Sequence, residues 1–187
     1  GGRPKGLEPV GGERMLDRVA VALGSVTESP PLLIANAPEA VDWLPGHVTV
    51  PDAVPHCGSL GGIYTAVTAG EGPVLVVGWD MPFVPAALLQ ALAADAPGYD
   101  VFLPESQGRL GMEPLCGVYG PGTAPFIRTS LDAEDYRTTA FHRHVNLGIL
   151  PLERVRTLGD PAEMFFNVNA PEDLTEAEAR WRRRGGG

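Results

Sequence analysis

The 187-residue chain lacks the marks of several common protein classes, and each shortage excludes something. It has only two cysteines, Cys57 and Cys116, and no Cys-x-x-Cys pair, so we expect free thiols and neither a disulfide framework nor a structural zinc site. No apolar run is long enough to cross a bilayer and no secretory signal opens the chain, so we expect a cytoplasmic protein with no membrane partner. No Gly-x-Ser-x-Gly motif is present, which leaves serine-hydrolase chemistry without support.

Positive charge is also scarce, because 14 Lys and Arg stand against 23 Asp and Glu and give a net charge of -9. A general nucleic-acid binder needs clustered cations to neutralise phosphates, so no nucleic-acid partner is predicted. A small anionic ligand remains compatible, since it needs only local positive charge and backbone N–H groups. The one basic run, Arg180-Trp181-Arg182-Arg183-Arg184, is interpreted as the solvated C-terminal end of a helix.

The remaining composition is that of a globular protein, with 44% apolar and 20% charged residues, and the length suits a single domain over residues 1–187. Strand-like apolar runs alternate with stretches of helical periodicity. This pattern predicts a three-layer, Rossmann-like α/β fold, with a mixed, mainly parallel sheet and helices on both faces. The predicted strands are 32–35, 48–50, 74–77, 101–103, 115–119 and 145–150, and the predicted helices are 15–23, 85–94, 124–131 and two that begin near 58 and 171. The continuous run Val74-Leu75-Val76-Val77 predicts a strand that is buried on both faces.

Polar side chains follow several of these runs at the point where each strand ends. They are Asn36, Asp52, Asp80, and Asn167 with Asn169. Ligands of open α/β sheets bind beyond the carboxyl ends of the strands, so these side chains are candidate ligand contacts.

Asp80 is the strongest of these candidates, because it directly follows the predicted buried strand. Mg²⁺ prefers one or two carboxylates together with substrate phosphates and water, which makes Asp80 a candidate metal ligand. The alternative is an aspartate that caps or turns into the helix near Pro85.

Two glycine-rich segments could bring backbone N–H groups close to a nucleotide. The first is Gly1-Gly2-Arg3-Pro4-Lys5-Gly6, where Lys5 could neutralise phosphate, although a flexible terminus has the same composition. The second is Gly58-Ser59-Leu60-Gly61-Gly62, which could approach a base or ribose, or could equally serve close packing of helix on sheet.

Two further segments allow a functional and a structural interpretation. Asn169-Ala170-Pro171-Glu172 resembles a capping box with Asn169 at the N-cap, which leaves Asn167 as the freer candidate ligand. His142-Arg143-His144 could bind a transition metal but lacks a third ligand nearby, so we favour a polar, partly exposed face for anions.

Taken in order, five segments resemble one family, the MobA family of molybdenum cofactor guanylyltransferases, over essentially the whole chain. The first two resemble the second half of the signature loop and the start of the first long helix. The third is similar to the Gly-Pro-Leu-x-Gly turn with Ser in place of Pro, the fourth to the Cys-Asp-x-Pro-Phe metal motif, and the fifth to the Asn-x-Asn-Thr-Pro-Glu-Asp ending. In chain order they are Gly1-Gly2-Arg3-Pro4-Lys5-Gly6-Leu7, Gly12-Glu13-Arg14-Met15-Leu16, Gly58-Ser59-Leu60-Gly61-Gly62-Ile63, Trp79-Asp80-Met81-Pro82-Phe83-Val84-Pro85, and Phe166-Asn167-Val168-Asn169-Ala170-Pro171-Glu172-Asp173-Leu174.

The resemblance implies a GT-A-like nucleotidyltransferase fold and transfer of GMP from GTP to the terminal phosphate of a molybdenum-bearing pterin. It implies that Asp80 holds Mg²⁺ and that Lys5 neutralises the triphosphate. It also implies partners in cofactor biosynthesis, including molybdoenzyme-specific chaperones. The expected nucleotide contacts are Gly2, Lys5, Asn36, Asp52, Gly58, Leu60, Gly61 and Gly62, and the expected contacts on the pterin side are Asn167, Asn169, Arg137 and Arg143.

The chain departs from the family at its beginning, because the family starts with an apolar strand and the loop Leu-Ala-Gly-Gly-x-Ser-x-Arg before the position of Gly1. We therefore expect the first central strand to be missing, and this 187-residue form to be less stable and poorly active. Two alternatives stay open. One is a related enzyme that uses CTP or transfers a nucleotide to a sugar phosphate or alcohol phosphate, and the other is a non-catalytic nucleotide-binding or partner module.

Overall fold

A computed structural model describes residues 4–185 of the chain. Eight strands occur in this range: β1 (Pro9–Val10), β2 (Glu13–Arg14), β3 (Leu33–Ile34), β4 (Thr49–Val50), β5 (Val74–Val77), β6 (Val101–Pro104), β7 (Cys116–Tyr119) and β8 (Leu147–Leu150). Every strand predicted from the sequence is present, although most are shorter than expected. The hairpin of β1 and β2 was not predicted, because two-residue strands leave no periodicity to read.

Residues 4–185 also form seven α-helices. Four lie between strands, α1 (Met15–Gly24), α2 (Gly58–Ala69), α3 (Ala86–Asp95) and α4 (Ala124–Asp132), and three follow β8, α5 (Leu152–Arg156), α6 (Pro161–Met164) and α7 (Pro171–Arg183). The short helices α5 and α6 were not predicted. No helix in the range 4–185 is both long and apolar enough to cross a membrane.

The main sheet has four strands in the order β5-β7-β6-β8. β7 is antiparallel to both β5 and β6, whereas β6 and β8 are parallel, so three of the four strands run in one direction and only β7 is reversed. A separate parallel pair, β3 with β4, aligns Leu33 with Thr49. The expected mixed, mainly parallel α/β architecture is confirmed.

Side chains of the main sheet alternate between two apolar layers, as the period of two along a strand requires. On β6, Phe102 packs with the leucines of α3, whereas Val101 and Leu103 pack with α2 and α4. Helices therefore cover both faces of the sheet. On α3, Leu88, Leu89 and Leu92 are fully buried, and each contributes roughly 2–3 kcal/mol to folding.

Two sequence-based expectations about individual elements need correction. All four residues of β5, Val74–Val77, are only partly buried, because β5 lies at the edge of the four-stranded sheet rather than between two neighbours. One arginine at the end of α7 is not simply solvated: only 18% of the Arg180 side chain is exposed, and it binds Glu163 at 2.6 Å and lies over the ring of Phe166, whereas Arg182, Arg183 and Arg184 are exposed as expected.

Predictions that concern Gly2 and the strand expected before Gly1 lie outside the described residues. The expectation of a single domain over residues 1–187 also stays a prediction.

Candidate functional site

Asp80 lies in the turn that connects β5 to α3, and backbone hydrogen bonds hold this turn on two sides. Gly78 N–H donates to the carbonyl of Leu115 at 2.8 Å, which extends the β5–β7 pairing one residue past the strand. The carbonyl of Asp80 accepts the N–H of Val168 at 2.9 Å. Met81 is fully buried and anchors the turn in the core. Asp80 is therefore held rigidly between β7 and the segment that carries Asn167 and Asn169.

The electrostatic surroundings of Asp80 are those of a carboxylate partly removed from water. Burial raises the pKa of Asp80, while a hydrogen bond from its own backbone N–H and the positive charge of Lys5 act in the opposite direction. Within residues 4–185, Asp80 forms no salt bridge. The carboxylate is therefore available to a cation from outside the protein.

Lys5 approaches the same place from the N-terminal side of the chain. It begins a 3-10 helix, Lys5–Leu7, and its Nζ donates a hydrogen bond to the backbone carbonyl of Asn169. Gly6 packs directly on the ring of Trp79, since a Cβ at Gly6 would lie 3.1 Å from Trp79 Cδ2. The structure thus brings together Asp80 and the Asn167–Asn169 segment, as the strand-end argument expected, and adds Lys5, which that argument did not include.

Asn36 and Asp52 form a second group, at the ends of β3 and β4. Asn36 Nδ2 donates to Asp52 Oδ2 at 2.7 Å, and the backbone N–H of Asp52 donates to Asn36 Oδ1 at 2.8 Å. The two side chains fix each other, so the other carboxylate oxygen of Asp52, Oδ1, is the one directed to α2, 4.0 Å from where a Cβ on Gly62 would lie.

The glycine-rich turn at the start of α2 has open space at Gly58 and a close contact with the preceding loop at Gly61, and its approach to a nucleotide stays a prediction. Gly58 has φ +59, a left-handed conformation that favours glycine, and there is open space around it. Gly61 instead serves close packing, because a Cβ there would lie 3.0 Å from Cys57 Cβ. The side chain of Leu60 is fully buried in the core, so any contact of Leu60 with a nucleotide involves its backbone.

Trp79 connects the two groups. Its ring packs on Trp43 with ring centroids 5.6 Å apart, in the same apolar cluster as Ala35. Because Ala35 precedes Asn36 and Trp79 precedes Asp80, the ends of β3 and β5 are neighbours.

Asn169 differs from its predicted structural role. The N-cap of α7 is Ala170, and the carboxylate of Asp173 accepts the N–H groups of Asn169 and Ala170, both at 2.8 Å. The capping carboxylate therefore comes from inside the helix, and the interpretation of Asn169 as the N-cap is wrong. Asn167 Nδ2 donates to the carbonyl of Phe165 at 3.1 Å.

Arg137 and Arg143 line two separate cavities, neither of which includes Asp80 among its lining residues. Arg137 is bound to Asp135 at 2.5 Å and shares a cavity of about 350 Å³ with Arg109. Arg143 lines another, of about 300 Å³, with His144, and donates to His144 Nε2 at 2.9 Å.

The expected anion-binding face does not include His142. Its Nε2 atom is buried and has no hydrogen-bond partner among the described residues, and burial lowers the pKa of the ring. Burial therefore disfavours the charged form of the ring, and its buried Nε2 is not presented to an anion at the surface. The sequence pattern showed only alternating histidines, and it could not show that the first of them points inward.

Two residues near these sites were missed by the sequence analysis, Arg109 and Glu113. Arg109 belongs to the loop between β6 and β7, to which the sequence analysis assigned no role. Glu113 precedes β7, its N–H donates to the carbonyl of Pro104 at 3.1 Å, and the negative charge of Asp80 is one of the causes that raise its pKa, after burial. No local pattern in the sequence marks Glu113, because its approach to Asp80 depends on contacts between distant segments.

The donor chemistry at Asp80 fits a divalent ion such as Mg²⁺. Mg²⁺ needs few protein oxygens, because substrate phosphates and water complete its coordination. Within residues 4–185 no three His, Cys, Asp or Glu side chains come together as a metal cage, so any ion here depends on a ligand such as a triphosphate for further oxygens.

Comparison with known proteins agrees with this architecture. Residues 1–147 match the family model of the MobA-like NTP transferase domain. A protein of Pelotomaculum thermopropionicum named probable molybdenum cofactor guanylyltransferase is 35% identical over 177 residues, which cover 94% of this chain and 84% of that protein.

Two solved structures share the fold. Molybdopterin-guanine dinucleotide biosynthesis protein A from Archaeoglobus fulgidus superimposes with a TM-score of 0.80 and 22% identity, covering 97% of this chain and 92% of that one. A 4-diphosphocytidyl-2C-methyl-D-erythritol synthase from Anaerococcus prevotii superimposes with a TM-score of 0.70 and 12% identity, covering 96% and 92%. The fold is therefore common to enzymes that handle different bases. With the family match over most of its length, this chain belongs to the MobA-like NTP transferase family and is a nucleotidyltransferase.

Proposed function

We propose that the protein transfers GMP from GTP to the terminal phosphate of a molybdenum-bearing pterin and releases pyrophosphate. The observation that carries this proposal is the meeting of Lys5, Asp80 and Asn169 at one strand end, in a chain 35% identical to a protein named probable molybdenum cofactor guanylyltransferase. The cytidylyl alternative has the same fold in its favour, but the relative with the higher identity bears the guanylyl name.

The reaction needs no nucleophile from the protein. An oxygen of the pterin phosphate attacks the α-phosphorus of GTP and forms a new P–O bond. The bond from that phosphorus to the oxygen bridging to the β-phosphate breaks, and its electron pair leaves with pyrophosphate. The protein contributes by positioning the groups and by stabilising negative charge. A bound Mg²⁺ would neutralise phosphate charge and orient the triphosphate for in-line attack.

Each residue group then has a defined task. Asp80 holds the ion, because its carboxylate is partly desolvated and its backbone is fixed by Val168. Lys5 neutralises the triphosphate from the other side, and its amino group already donates to an oxygen in this place, the carbonyl of Asn169.

The remaining candidate residues divide between the two substrates. Asn36 and Asp52, with the glycine-rich turn 58–62, contact the nucleotide. Asn167 and Asn169 contact the pterin next to Asp80, and the assignment of Arg137 and Arg143 to the pterin stays a prediction, because the cavities that they line do not include Asp80. The mutual hydrogen bonds of Asn36 and Asp52 support a fixed pair that can read a base or ribose without reorganising.

We also place the reaction in the cytoplasm, with other cofactor-biosynthesis proteins as donors of the pterin and molybdoenzyme-specific chaperones as receivers of the product. Both cysteines are free and buried, which suits a reducing compartment.

The test is pyrophosphate release from GTP in the presence of Mg²⁺ and the molybdenum-bearing pterin. Asp80→Asn should lower the rate by roughly a hundredfold or more, because one charged metal ligand is lost. Asp95→Asn is the matched control, since Asp95 is an exposed carboxylate at the end of α3 and should leave the rate unchanged.

Competition between nucleotides tests the choice of base. GTP should displace a bound fluorescent GTP analogue far better than CTP does, since purine and pyrimidine edges differ in their hydrogen-bonding groups. Preferred displacement by CTP would replace guanylyl by cytidylyl transfer. Nucleotide binding without any pyrophosphate release, in wild type and control alike, would favour a non-catalytic module.

A further inference from the structure

We infer that Glu178 and Trp181, in the second half of α7, are positioning residues that hold Lys5 in place for the triphosphate. They act through the β1–β2 hairpin, which follows Lys5 closely in the chain. The inference rests on the proposed function, in which Lys5 neutralises the triphosphate beside Asp80. Three features of the structure support it: the turn of the hairpin, the contacts of this turn with α7, and the bonded path from the hairpin to Lys5.

The turn between β1 and β2 has one backbone donor whose partner comes from α7. Val10 pairs with Glu13 across the hairpin, so Gly11 and Gly12 form a two-residue turn. Both glycines have positive φ, +61 and +80, as the two central positions of a type I′ turn require. The turn's own hydrogen bond does not use the N–H of the first central residue. Glu178 Oε1 accepts this N–H, from Gly11, at 2.8 Å.

Trp181 contacts the same turn from a position three residues further along α7, on the same side of the helix as Glu178. A Cβ at Gly11 would overlap the indole of Trp181, so the ring lies directly on the turn. Arg18 of α1 joins this contact: its Cζ lies 3.9 Å from the centroid of the Trp181 ring, and its Nη2 donates to the carbonyl of Val10 at 2.7 Å. α7 therefore holds the hairpin with a hydrogen-bond acceptor and an aromatic ring.

A short, hydrogen-bonded path connects the hairpin to Lys5. The N–H of Glu8 donates to the carbonyl of Lys5 at 2.9 Å, and the carbonyl of Glu8 accepts the N–H of Met15 at 3.1 Å. Between these bonds, Val10 is fully buried in the apolar cluster that also contains Val168. The backbone of Lys5 is thus tied to the hairpin, and a displacement of the hairpin should also displace Lys5.

α7 and the residue that precedes its N-cap contact this N-terminal segment at two places. Just before the helix, the carbonyl of Asn169 accepts a hydrogen bond from Lys5 Nζ, and in its second half Glu178 and Trp181 hold the turn at Gly11. The side chain of a lysine is long and flexible, so a fixed backbone lowers the entropic expense of directing its charge to a phosphate. A single helix that is connected to both ends of the segment fixes the backbone in this way.

The experiment measures the affinity of the intact protein for α,β-methylene GTP with Mg²⁺, by isothermal titration calorimetry. This analogue cannot be cleaved at the reacting bond, so the readout is independent of turnover. Lys5→Ala should weaken binding by on the order of tenfold, because a charged donor to phosphate is lost. Glu178→Ala should weaken it several-fold, whereas Glu178→Gln should keep most of the affinity, because an amide oxygen still accepts the Gly11 N–H. Glu172→Ala, an exposed carboxylate in the first turn of α7, is the matched control and should leave binding unchanged.

A double-mutant cycle distinguishes the positioning of Lys5 from a purely structural role. In the Lys5→Ala background, Glu178→Ala should change the affinity by less than about twofold, because the residue through which Glu178 acts is absent. Trp181→Leu should behave in the same way, with a several-fold loss only when Lys5 is present. Unfolding in urea establishes that each variant is folded under the conditions of the titration.

Equal losses from Glu178→Ala with and without Lys5 would overturn the positioning role and leave the proposed function standing. So would an affinity of Glu178→Ala that matches wild type while Lys5→Ala binds weakly. A loss in Glu178→Gln as large as in Glu178→Ala would overturn the hydrogen bond to Gly11 as the means of positioning. Unchanged affinity in Lys5→Ala would overturn both the positioning role and the task of Lys5 in the proposed function. Pyrophosphate release, measured separately, would then decide whether GMP transfer itself survives.

Discussion

The backbone carbonyl of Asp80 accepts a hydrogen bond from the N–H of Val168, at 2.9 Å. These residues are far apart in sequence, and this bond joins the turn after β5 to the segment before α7. The side chain of Val168 is buried with Phe83 and Ala177, which reinforces the junction. The metal candidate and the asparagines on either side of Val168 therefore move as one unit, and changes that loosen either side should affect both.

The start of α7 offers a way to loosen this unit from one side. Asp173 accepts the N–H groups of Asn169 and Ala170, so Asp173→Ala leaves two donors without their partner. We expect a loss of about 1 kcal/mol in the free energy of unfolding, measured in urea, and a higher KM for the pterin substrate. Glu172→Ala is the matched control, because Glu172 is an exposed carboxylate in the same turn. Equal effects of the two substitutions would contradict the capping role of Asp173.

Gly78 allows the Asp80 carboxylate to be displaced without a change in charge. Gly78→Ala would place a methyl group 2.8 Å from Asp80 Oδ1, so the carboxylate must turn away, although the backbone of Gly78 is not left-handed and tolerates alanine. We expect weaker Mn²⁺ binding, by several-fold or more, with little change in the melting temperature. Gly72→Ala, before the same strand, meets no atom within 4 Å and should change neither quantity. Unaltered metal affinity in Gly78→Ala would mean that the carboxylate need not lie over Gly78 to bind the ion.

Much of this arrangement was predictable from the sequence, because it follows from local patterns. The run 74–77 predicted β5, and the position of Asp80 after it predicted a polar group at the strand end. The helical spacing from Leu60 to Val67 predicted α2. Lys5 was expected on the nucleotide side and Asn169 on the pterin side, and the hydrogen bond between Lys5 and the carbonyl of Asn169 shows that the two are neighbours, which no local pattern had indicated.

What the sequence could not show was the direction of β7. An apolar run looks the same in a parallel and a reversed strand, so the antiparallel pairing of β7 with β5 and β6 left no local trace. The edge position of β5 has the same origin, since strand order depends on contacts between distant segments. Burial of single side chains, such as Arg180 and His142, also depends on tertiary packing rather than on periodicity.

Arg180 ties the end of α7 to α6 and to the residues before Asn167. Its guanidinium binds Glu163 at 2.6 Å and Glu176 at 2.9 Å, and lies 4.2 Å from the centroid of Phe166. Arg180→Ala should lower the free energy of unfolding by about 2 kcal/mol. The mostly buried carboxylate of Glu163 loses its ion-pair partner, and the ring of Phe166 loses its cation–π contact with the guanidinium. Arg182→Ala, an exposed arginine on the same helix, is the control and should have an effect below about 0.5 kcal/mol. A similar loss in both variants would show that only the general charge of the helix end matters.

His142 makes the stability of the protein depend on pH in a defined direction. Burial lowers the pKa of His142 from the ordinary value of 6.5, so below that pH the unfolded chain takes up a proton that the folded chain resists. The unfolded state then binds more protons, and stability falls as the pH drops from about 6.5 towards the lower folded-state pKa.

His142→Leu removes this titration and also removes a buried Nε2 that has no partner among the described residues. The variant should therefore be at least as stable as wild type at pH 7.5, and its advantage in melting temperature should grow at pH 5.5. Differential scanning calorimetry at the two pH values measures this. His144→Gln, at an exposed position two residues away, reports the effect of changing a histidine that is not buried. An advantage of His142→Leu that is equal at both pH values would show that protonation of His142 does not oppose folding.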